Sequence, residues 1–125
     1  MPSTFLACIV AAAAAAAVSP AVVDESLRAT LLQMFVDDQD ASRLTLADAG
    51  RQETKDESLW FDGLHRKNDE LIRKIVREHG WPGRSLVGED GAHAAWIVVQ
   101  HMDTDVDFQR SCLALMQQAF LRGEV

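Results

Sequence analysis

The chain has 125 residues, with 12 Lys and Arg against 19 Asp and Glu and 48% apolar side chains. A chain of this length can build one hydrophobic core but not two, which limits it to a single domain. The net charge of −7 argues against a nucleic-acid binder, because that affinity depends on clustered Lys and Arg that neutralise phosphates. An anionic membrane surface is disfavoured for the same reason.

Residues 1–23 form an uncharged leader with 18 apolar side chains. Its apolar run, residues 5–18, is short for a bilayer span but fits the apolar region of a secretory signal, with Ser19 and Ala21 as the small residues before cleavage. No Lys or Arg precedes this run, so an uncleaved anchor or a low-complexity leader on a cytoplasmic protein are the alternatives. We predict a signal peptide, secretion or export to the periplasm, and no stable membrane insertion after its removal. Residues 24–125 are then the single domain.

Two helices are predicted in the first half of this domain. In residues 24 to about 42, apolar residues recur every three or four positions and share one face, and they are Leu27, Leu31, Met34 and Phe35. Residues 44–58 have no such period and predict a long loop that could act as a lid. The second helix, residues 59–79, carries a stripe of Trp60, Leu64, Leu71 and Ile75, and it ends at Gly80.

The second half predicts two more helices. Residues 83–91 are a glycine-rich connection with a short extended piece at residues 85–87. The third helix, from about 91 to 102, is apolar on nearly all sides, which indicates a buried central helix. Asp105 can cap the fourth helix, residues 106–121, whose predicted buried side chains are Phe108, Cys112, Leu115, Met116, Ala119 and Phe120. We therefore predict an all-α, four-helix domain with a buried third helix and a Gly-rich connection before it.

Polar residues occupy positions in register with three of the apolar stripes. They are Asp38 and Gln39 on the first helix, Asn68 on the second, and Gln100, His101 and Asp103 at the end of the third. Burying such groups is costly unless their hydrogen bonds are met, so they should contact one another or a ligand. One hypothesis is a polar pocket in which His101 transfers protons and a carboxylate holds its tautomer. The alternative is an interior network that only fixes helix packing.

Other chemistries find less support in the sequence. The spacing around His101 is not that of a closed zinc site, so a metal site is the less favoured alternative and no metal or cofactor is predicted. Cys112 lies in an apolar stripe, where a thiol is usually inert. The glycines of residues 83–91 could hold an anion at a helix N-terminus. Glu89 and Asp90 would repel it, which favours a tight turn.

Several short motifs follow one another along the domain. They are Gly80-Trp81-Pro82, Val87-Gly88, Ala95-Trp96, Gln100-His101-x-Asp103 and a later Gln109. This combination resembles an uncharacterised bacterial domain family, whose members also carry an Asp-Gln pair, an Arg and an Asn that match Asp38-Gln39, Arg43 and Asn68. Members often have an Asp where this chain has His65. The resemblance supplies no activity, but it implies that the polar residues recur as a unit.

We therefore predict an acid–base enzyme that performs hydrolysis or elimination on a small polar substrate. His101 would be the general base or acid, oriented by Asp103 or Asp38. The predicted substrate-binding residues are Gln39, Asn68, Gln100, Gln109 and Arg43. A non-catalytic module that binds a small ligand or a protein partner in the same pocket, and a structural domain, are the alternatives. Catalysis requires a cavity beside His101, whereas the structural alternative requires a closed, internally paired cluster.

Overall fold

A computed structural model describes residues 23–47, Gly50 and residues 54–125, apart from the side chains of residues 43–47. These parts contain four α-helices and no strand, which confirms the predicted all-α, four-helix fold. The helices are α1 (Glu25–Ala47), α2 (Lys55–His79), α3 (Arg84–Gln100) and α4 (Val106–Leu121). Residues 1–22 of the leader, with the predicted signal peptide, lie outside the described residues.

The first two helices are longer than the sequence predicted. The supposed loop over residues 44–58 is wrong at both ends, because α1 runs to Ala47 and α2 starts at Lys55. A capping box explains the early start of α2. Thr54 Oγ1 accepts a hydrogen bond from the Glu57 backbone N–H, and Glu57 Oε2 accepts one from the Thr54 N–H. These bonds satisfy donors that a helix N-terminus leaves free.

The predicted extended piece before the third helix is also wrong. Residues 84–87 form a helical turn, and a kink at Gly88 separates that turn from the rest of α3. Gly88 has φ 75°, a conformation that favours glycine because it has no Cβ. The backbone N–H groups of Arg84 and Ser85 donate to the carbonyl and carboxylate oxygens of Glu124, at 3.0 and 2.8 Å. The chain itself therefore occupies donors that an anion at this helix end would use.

Helix α3 packs against each of the other three helices. Its buried residues include Gly91, Ala92, Ala94 and Ala95, and their small size allows close approach of the neighbouring helices. A Cβ added at Gly91 would lie 3.4 Å from Cγ of Arg28 in α1. The core is completed by larger side chains from the other elements, among them Leu31, Met34, Ile72, Trp81 and Cys112.

Two aromatic residues predicted to be buried are largely exposed. Trp60 in α2 is half exposed and Phe120 in α4 is mostly exposed. Four-residue steps advance about 40° beyond a full turn, so the three steps between Trp60 and Ile72 rotate by about 120°. The buried face of α2 therefore follows Asn68, Ile72 and Ile75 and leaves Trp60 outside. In the described part of the chain, no helix has the length and apolar character needed to cross a membrane.

Candidate functional site

A histidine and a carboxylate from different helices form the centre of the candidate site. His101 follows the last residue of α3, and its ring Nδ1 lies 2.7 Å from Oδ2 of Asp38 in α1. The Asp38 side chain is 10% exposed, whereas the His101 side chain is 42% exposed. The protein therefore covers the carboxylate, while the imidazole reaches solvent.

The tautomer of His101 follows from the chemistry of its partner. An ionised carboxylate only accepts hydrogen bonds, so Nδ1 carries the hydrogen and is the donor of the hydrogen bond to Asp38. In the neutral ring Nε2 then holds the lone pair, and none of the side chains that the structure describes hydrogen-bonds to it. Such an imidazole can take a proton at Nε2 while Asp38 stabilises the imidazolium that forms.

The residues next to Asp38 in α1 fix its orientation. Gln39 Nε2 donates to the same Oδ2 at 3.1 Å, and Ser42 Oγ donates to the Asp38 backbone carbonyl at 3.0 Å. Because Oδ2 accepts from both Gln39 and His101, turning the carboxylate would break two hydrogen bonds. The Asp-Gln pair of the sequence is thus brought together with the histidine.

Asn68 in α2 contacts α1 one helical turn before Asp38. Its side chain is buried, and Nδ2 donates to the backbone carbonyl of Met34, four residues before Asp38, at 3.1 Å. The other amide atom, Oδ1, is buried without a hydrogen-bond partner. A buried acceptor left unpaired is destabilising. Asn68 therefore ties α2 to α1 and also presents an acceptor that the protein does not use.

Gln109 lies on the other side of His101, near the start of α4. Its Nε2 donates to the backbone carbonyls of Val99 and Gln100, at 3.1 and 3.0 Å. The last carbonyls of a helix have no partner within the helix, so Gln109 caps the end of α3 immediately before His101. In this structure its amide donor holds the backbone that carries the histidine.

Two other predicted site residues, Asp103 and Gln100, are not joined to the pair. Asp103 and Gln100 are exposed, and no hydrogen bond between described atoms links either side chain to His101. Of the two carboxylates considered for orienting the imidazole, the structure places Asp38 against it. The Arg43 side chain lies outside the described residues.

An ion pair that the sequence analysis missed holds the turn after His101. Asp105 caps α4 as predicted, since Oδ1 accepts from the Phe108 N–H at 2.9 Å, and Oδ2 accepts from Arg73 in α2 at 2.6 Å. These two hydrogen bonds, the backbone one first, hold the pKa of Asp105 below its usual value. Arg73 belongs to a run of alternating charges in α2, so the pattern alone could not separate it from its solvated neighbours.

The Cys112 thiol and possible metal ligands are the other reactive groups considered from the sequence. Burial raises the pKa of the Cys112 thiol to about 11, which keeps it protonated and unreactive near neutral pH. A group of three or more His, Cys, Asp or Glu side chains able to hold a metal ion is not found in the described part.

Two cavities lined by described residues lie away from His101. A cavity of about 740 Å³ lies between the N-terminal parts of α1 and α3 and the end of α4, beside Arg28, Asp90 and Trp96. A smaller cavity, of about 440 Å³, lies between α1 and α2. Neither of them is the cavity beside His101 that catalysis was expected to require. His101 is open at the surface, at the opposite end of α3 from the larger cavity.

A family profile matches residues 25–125, which include the four described helices and every residue of the candidate site. The chain belongs to DUF6624, a family of unknown function. This membership confirms the resemblance to an uncharacterised domain family. No curated protein and no solved structure matches the chain.

Proposed function

We propose that this DUF6624 member is a small enzyme that performs acid–base chemistry on a small polar substrate, by hydrolysis or elimination. The observation that carries the proposal is the 2.7 Å contact between His101 Nδ1 and Asp38 Oδ2. It joins a covered carboxylate to an exposed imidazole, which is the arrangement of a general base and its orienting group.

In this proposal Nε2 of His101 removes the proton that the reaction releases. In hydrolysis the proton comes from the attacking water, and in elimination it comes from the substrate carbon. Asp38 stabilises the positive ring during the step, and the ring then returns the proton to the leaving group. Without Asp38 the imidazole ring would have no fixed orientation, and proton transfer at Nε2 would be less efficient.

The remaining predicted residues have different roles in the proposal. Asn68 stays a candidate substrate ligand through Oδ1, a buried acceptor without a partner, which a substrate N–H or O–H group would reach only after the side chains around it move. Gln39 and Gln109 would position Asp38 and His101, because their described hydrogen bonds go to those parts of the chain. Arg43 and Gln100 stay candidate substrate ligands at the same end of the domain.

The experiment compares the full-length protein with two histidine variants. H101Q removes the proposed base, and H65Q is the matched control, since His65 is an exposed histidine of α2. The probes are p-nitrophenyl acetate as an ester and p-nitrophenyl phosphate as a phosphate ester. We expect H101Q to lower the hydrolysis rate by about 10²- to 10⁴-fold, and H65Q to leave it unchanged.

Two further measurements separate catalysis from other roles of His101. Added imidazole should restore part of the rate in H101G, because it can occupy the vacated position and act as the base. The free energy of unfolding of H101Q should lie within about 1 kcal/mol of the wild-type value. A loss of about 2 kcal/mol or more would indicate a structural histidine, and equal hydrolysis by H101Q and wild type would contradict the proposal.

We also propose that residues 1–23 direct export, which would place the enzyme in the periplasm or outside the cell. Support comes from the uncharged apolar run and the small residues Ser19 and Ala21. N-terminal sequencing of the exported protein from a bacterial host should find Val22 as the first residue. Recovery of only the uncleaved chain would contradict this part of the proposal.

A further inference from the structure

The larger cavity has the size and lining of a small-molecule site, and it is separate from the His101–Asp38 pair. Its volume is about 740 Å³, within the range of roughly 300 to 1,000 Å³ that ligand sites span. Ala92 and Trp96 of α3 and Met116 of α4 supply apolar surface to its lining. A cavity of this size, in which a few polar groups converge on apolar surface, is where ligand binding is expected.

One face of α3 presents three different groups to this cavity. Glu89, His93 and Trp96 all line it, and they follow one another at steps of four and three residues, which places them on the same face of the helix. They extend over about 10 Å of the helix. Side chains on a helix tilt towards its N-terminus, so the indole of Trp96 leans towards Glu89. A ligand along this face would meet a carboxylate at one end and an indole at the other.

Trp96 offers a ring surface that the protein leaves partly uncovered. The ring of His93 lies 5.7 Å from it between centroids, and His93 in turn lies 6.1 Å from the ring of Phe35. These contacts hold the indole in place, while 38% of Trp96 stays exposed. Among the aromatic side chains, indole attracts cations most strongly over its ring face. The exposed part of Trp96 therefore suits an apolar group that carries a positive charge.

The charged side chains that line the cavity differ in whether the protein provides them with a partner. Arg28 donates to two carboxylates, one of which is Asp90. Arg84 donates to a backbone carbonyl at 2.6 Å. The carboxylate of Glu89 has no hydrogen bond or ion pair with any part of the chain that the structure describes. Each guanidinium group thus has an acceptor, whereas this carboxylate is free to bind a cation.

An anionic ligand would find few free donors at this end of α3. The backbone N–H of Ser85 donates to the carboxylate of Glu124 at 2.8 Å, and that of Gly91 donates to Asp90 at 2.9 Å. These two carboxylates already interact with the positive end of the helix dipole. An added negative charge would also lie close to Glu89 and be repelled by it. The charge distribution therefore favours a positive ligand.

We propose that the larger cavity binds an organic cation, an ammonium group on an apolar or aromatic body. The positive group would lie between the ring of Trp96 and the carboxylate of Glu89, and the body would pack against Ala92 and Met116. This site lies at the opposite end of α3 from His101. Binding of the cation and the proposed catalysis are therefore independent, and either can be disproved without the other.

An NMR titration of the full-length protein tests the charge that the cavity selects. Three probes share one benzyl ring and differ in charge: benzyltrimethylammonium, benzyl alcohol and phenylacetate, each added to about 50 mM at matched ionic strength. The cation should bind with a Kd of about 1–10 mM, the scale expected for so few atoms. It should shift the indole N–H signal of Trp96 and the amide signals of residues 89–96. The neutral and anionic probes should bind about 10-fold more weakly.

Two pairs of variants test the residues that carry the proposal. E89Q should weaken binding of benzyltrimethylammonium about 10-fold, and W96L at least about fivefold. E70Q and W60L are the matched controls, because Glu70 and Trp60 are exposed residues of α2 outside the cavity lining, and both should bind within about twofold of wild type. Amide spectra of each variant check that the fold is kept. E89Q changes an exposed side chain, so it tests the site even if W96L disturbs the packing.

Four results would overturn the proposal. The first is the absence of shifts with the cation at about 50 mM. The second is binding of phenylacetate or benzyl alcohol as tight as that of the cation, since the cavity would then not select positive charge. The third is a set of shifts centred on His101 instead of Trp96. The last is an affinity of E89Q equal to that of E70Q. H101Q should bind the cation like wild type, which separates this test from the test of hydrolysis.

Discussion

The His101–Asp38 pair and the Arg28–Asp90 pair lie at opposite ends of α3 and differ in what each leaves unbonded. Arg28 donates two hydrogen bonds to the two carboxylate oxygens of Asp90 and a third to Glu25. The hydrogen bond from Arg28 is the main cause that lowers the pKa of Asp90 to about 2. His101, in contrast, uses one ring nitrogen on Asp38 and leaves the other open. We call the Arg28–Asp90 contact the closed pair, because both of its side chains are fully engaged, and the His101–Asp38 contact the open pair, because Nε2 of His101 has no described partner.

The largest expected effect is a difference in hydrolysis rate between substitutions of the two carboxylates, Asp38 and Asp90. Asp38→Asn should lower the hydrolysis of p-nitrophenyl acetate by about 100-fold or more, because an amide neither stabilises imidazolium nor fixes the required tautomer. Asp90→Asn, the matched change in the other pair, should leave the rate unchanged. Initial rates at saturating probe measure both. Equal losses of rate in the two variants would show that Asp38 has no role in hydrolysis that Asp90 lacks.

A smaller effect is expected at Asn68, which bonds α1 one helical turn before Asp38. Asn68→Leu should change the free energy of unfolding by less than about 1 kcal/mol, because it removes an unpaired buried oxygen together with one hydrogen bond. The same variant should lower hydrolysis by about 10-fold if Oδ1 binds substrate. Ile72→Ala, one turn further along the same buried face, serves as the structural control and should lose about 2–5 kcal/mol. Urea unfolding that ranks Asn68→Leu with Ile72→Ala would make Asn68 a structural residue.

The closed pair should be visible in the pH dependence of stability. Asp90 has its pKa lowered to about 2 in the folded chain, so the unfolded chain binds its proton first as the pH falls. The stabilisation by this pair is therefore present above about pH 4 and is lost between about pH 4 and pH 2. Urea midpoints of Asp90→Asn should fall less steeply than those of wild type over this range. Parallel profiles would show that the pair contributes nothing to acid stability.

The smallest expected effect concerns Cys112, a buried residue of α4. Because burial raises its pKa to about 11, the thiol should react with a disulfide reagent at pH 8 only after unfolding. In Cys8→Ser, the rate in water should be far below the rate in 6 M guanidinium chloride. Rapid reaction of the folded protein would mean that the core around Cys112 opens readily.

Much of the fold was predictable because its signals are local in the sequence. Apolar periodicity located all four helices, and Gly80 and Asp105 marked a helix end and a helix start that the structure confirms. The errors have local causes as well. Thr54 and Glu57 extend α2 through a capping box, and Gly88 inserts a kink where a loop was predicted.

Of the candidate site residues, the sequence indicated Asp38, Gln39 and His101, which the structure brings together, but not their geometry. Helix register placed Asp38, Gln39, Asn68 and His101 on faces that turn towards the interior. Helix register could not predict whether Asp38 or Asp103 contacts His101, because the answer depends on how α1 packs against the end of α3. Gln109 was predicted to bind substrate, and its observed bonds to backbone carbonyls could not be read from spacing.

The sequence by itself determined the fold class and the positions where polar groups enter the buried faces, because helix periodicity and capping act over a few residues. Only the tertiary structure decided that His101 meets Asp38, 63 residues away, and that Arg73 meets Asp105. It also decided that Phe120 of α4, which was predicted to be buried, stays exposed. Contacts of this kind depend on how whole helices pack, and no spacing within one helix specifies them.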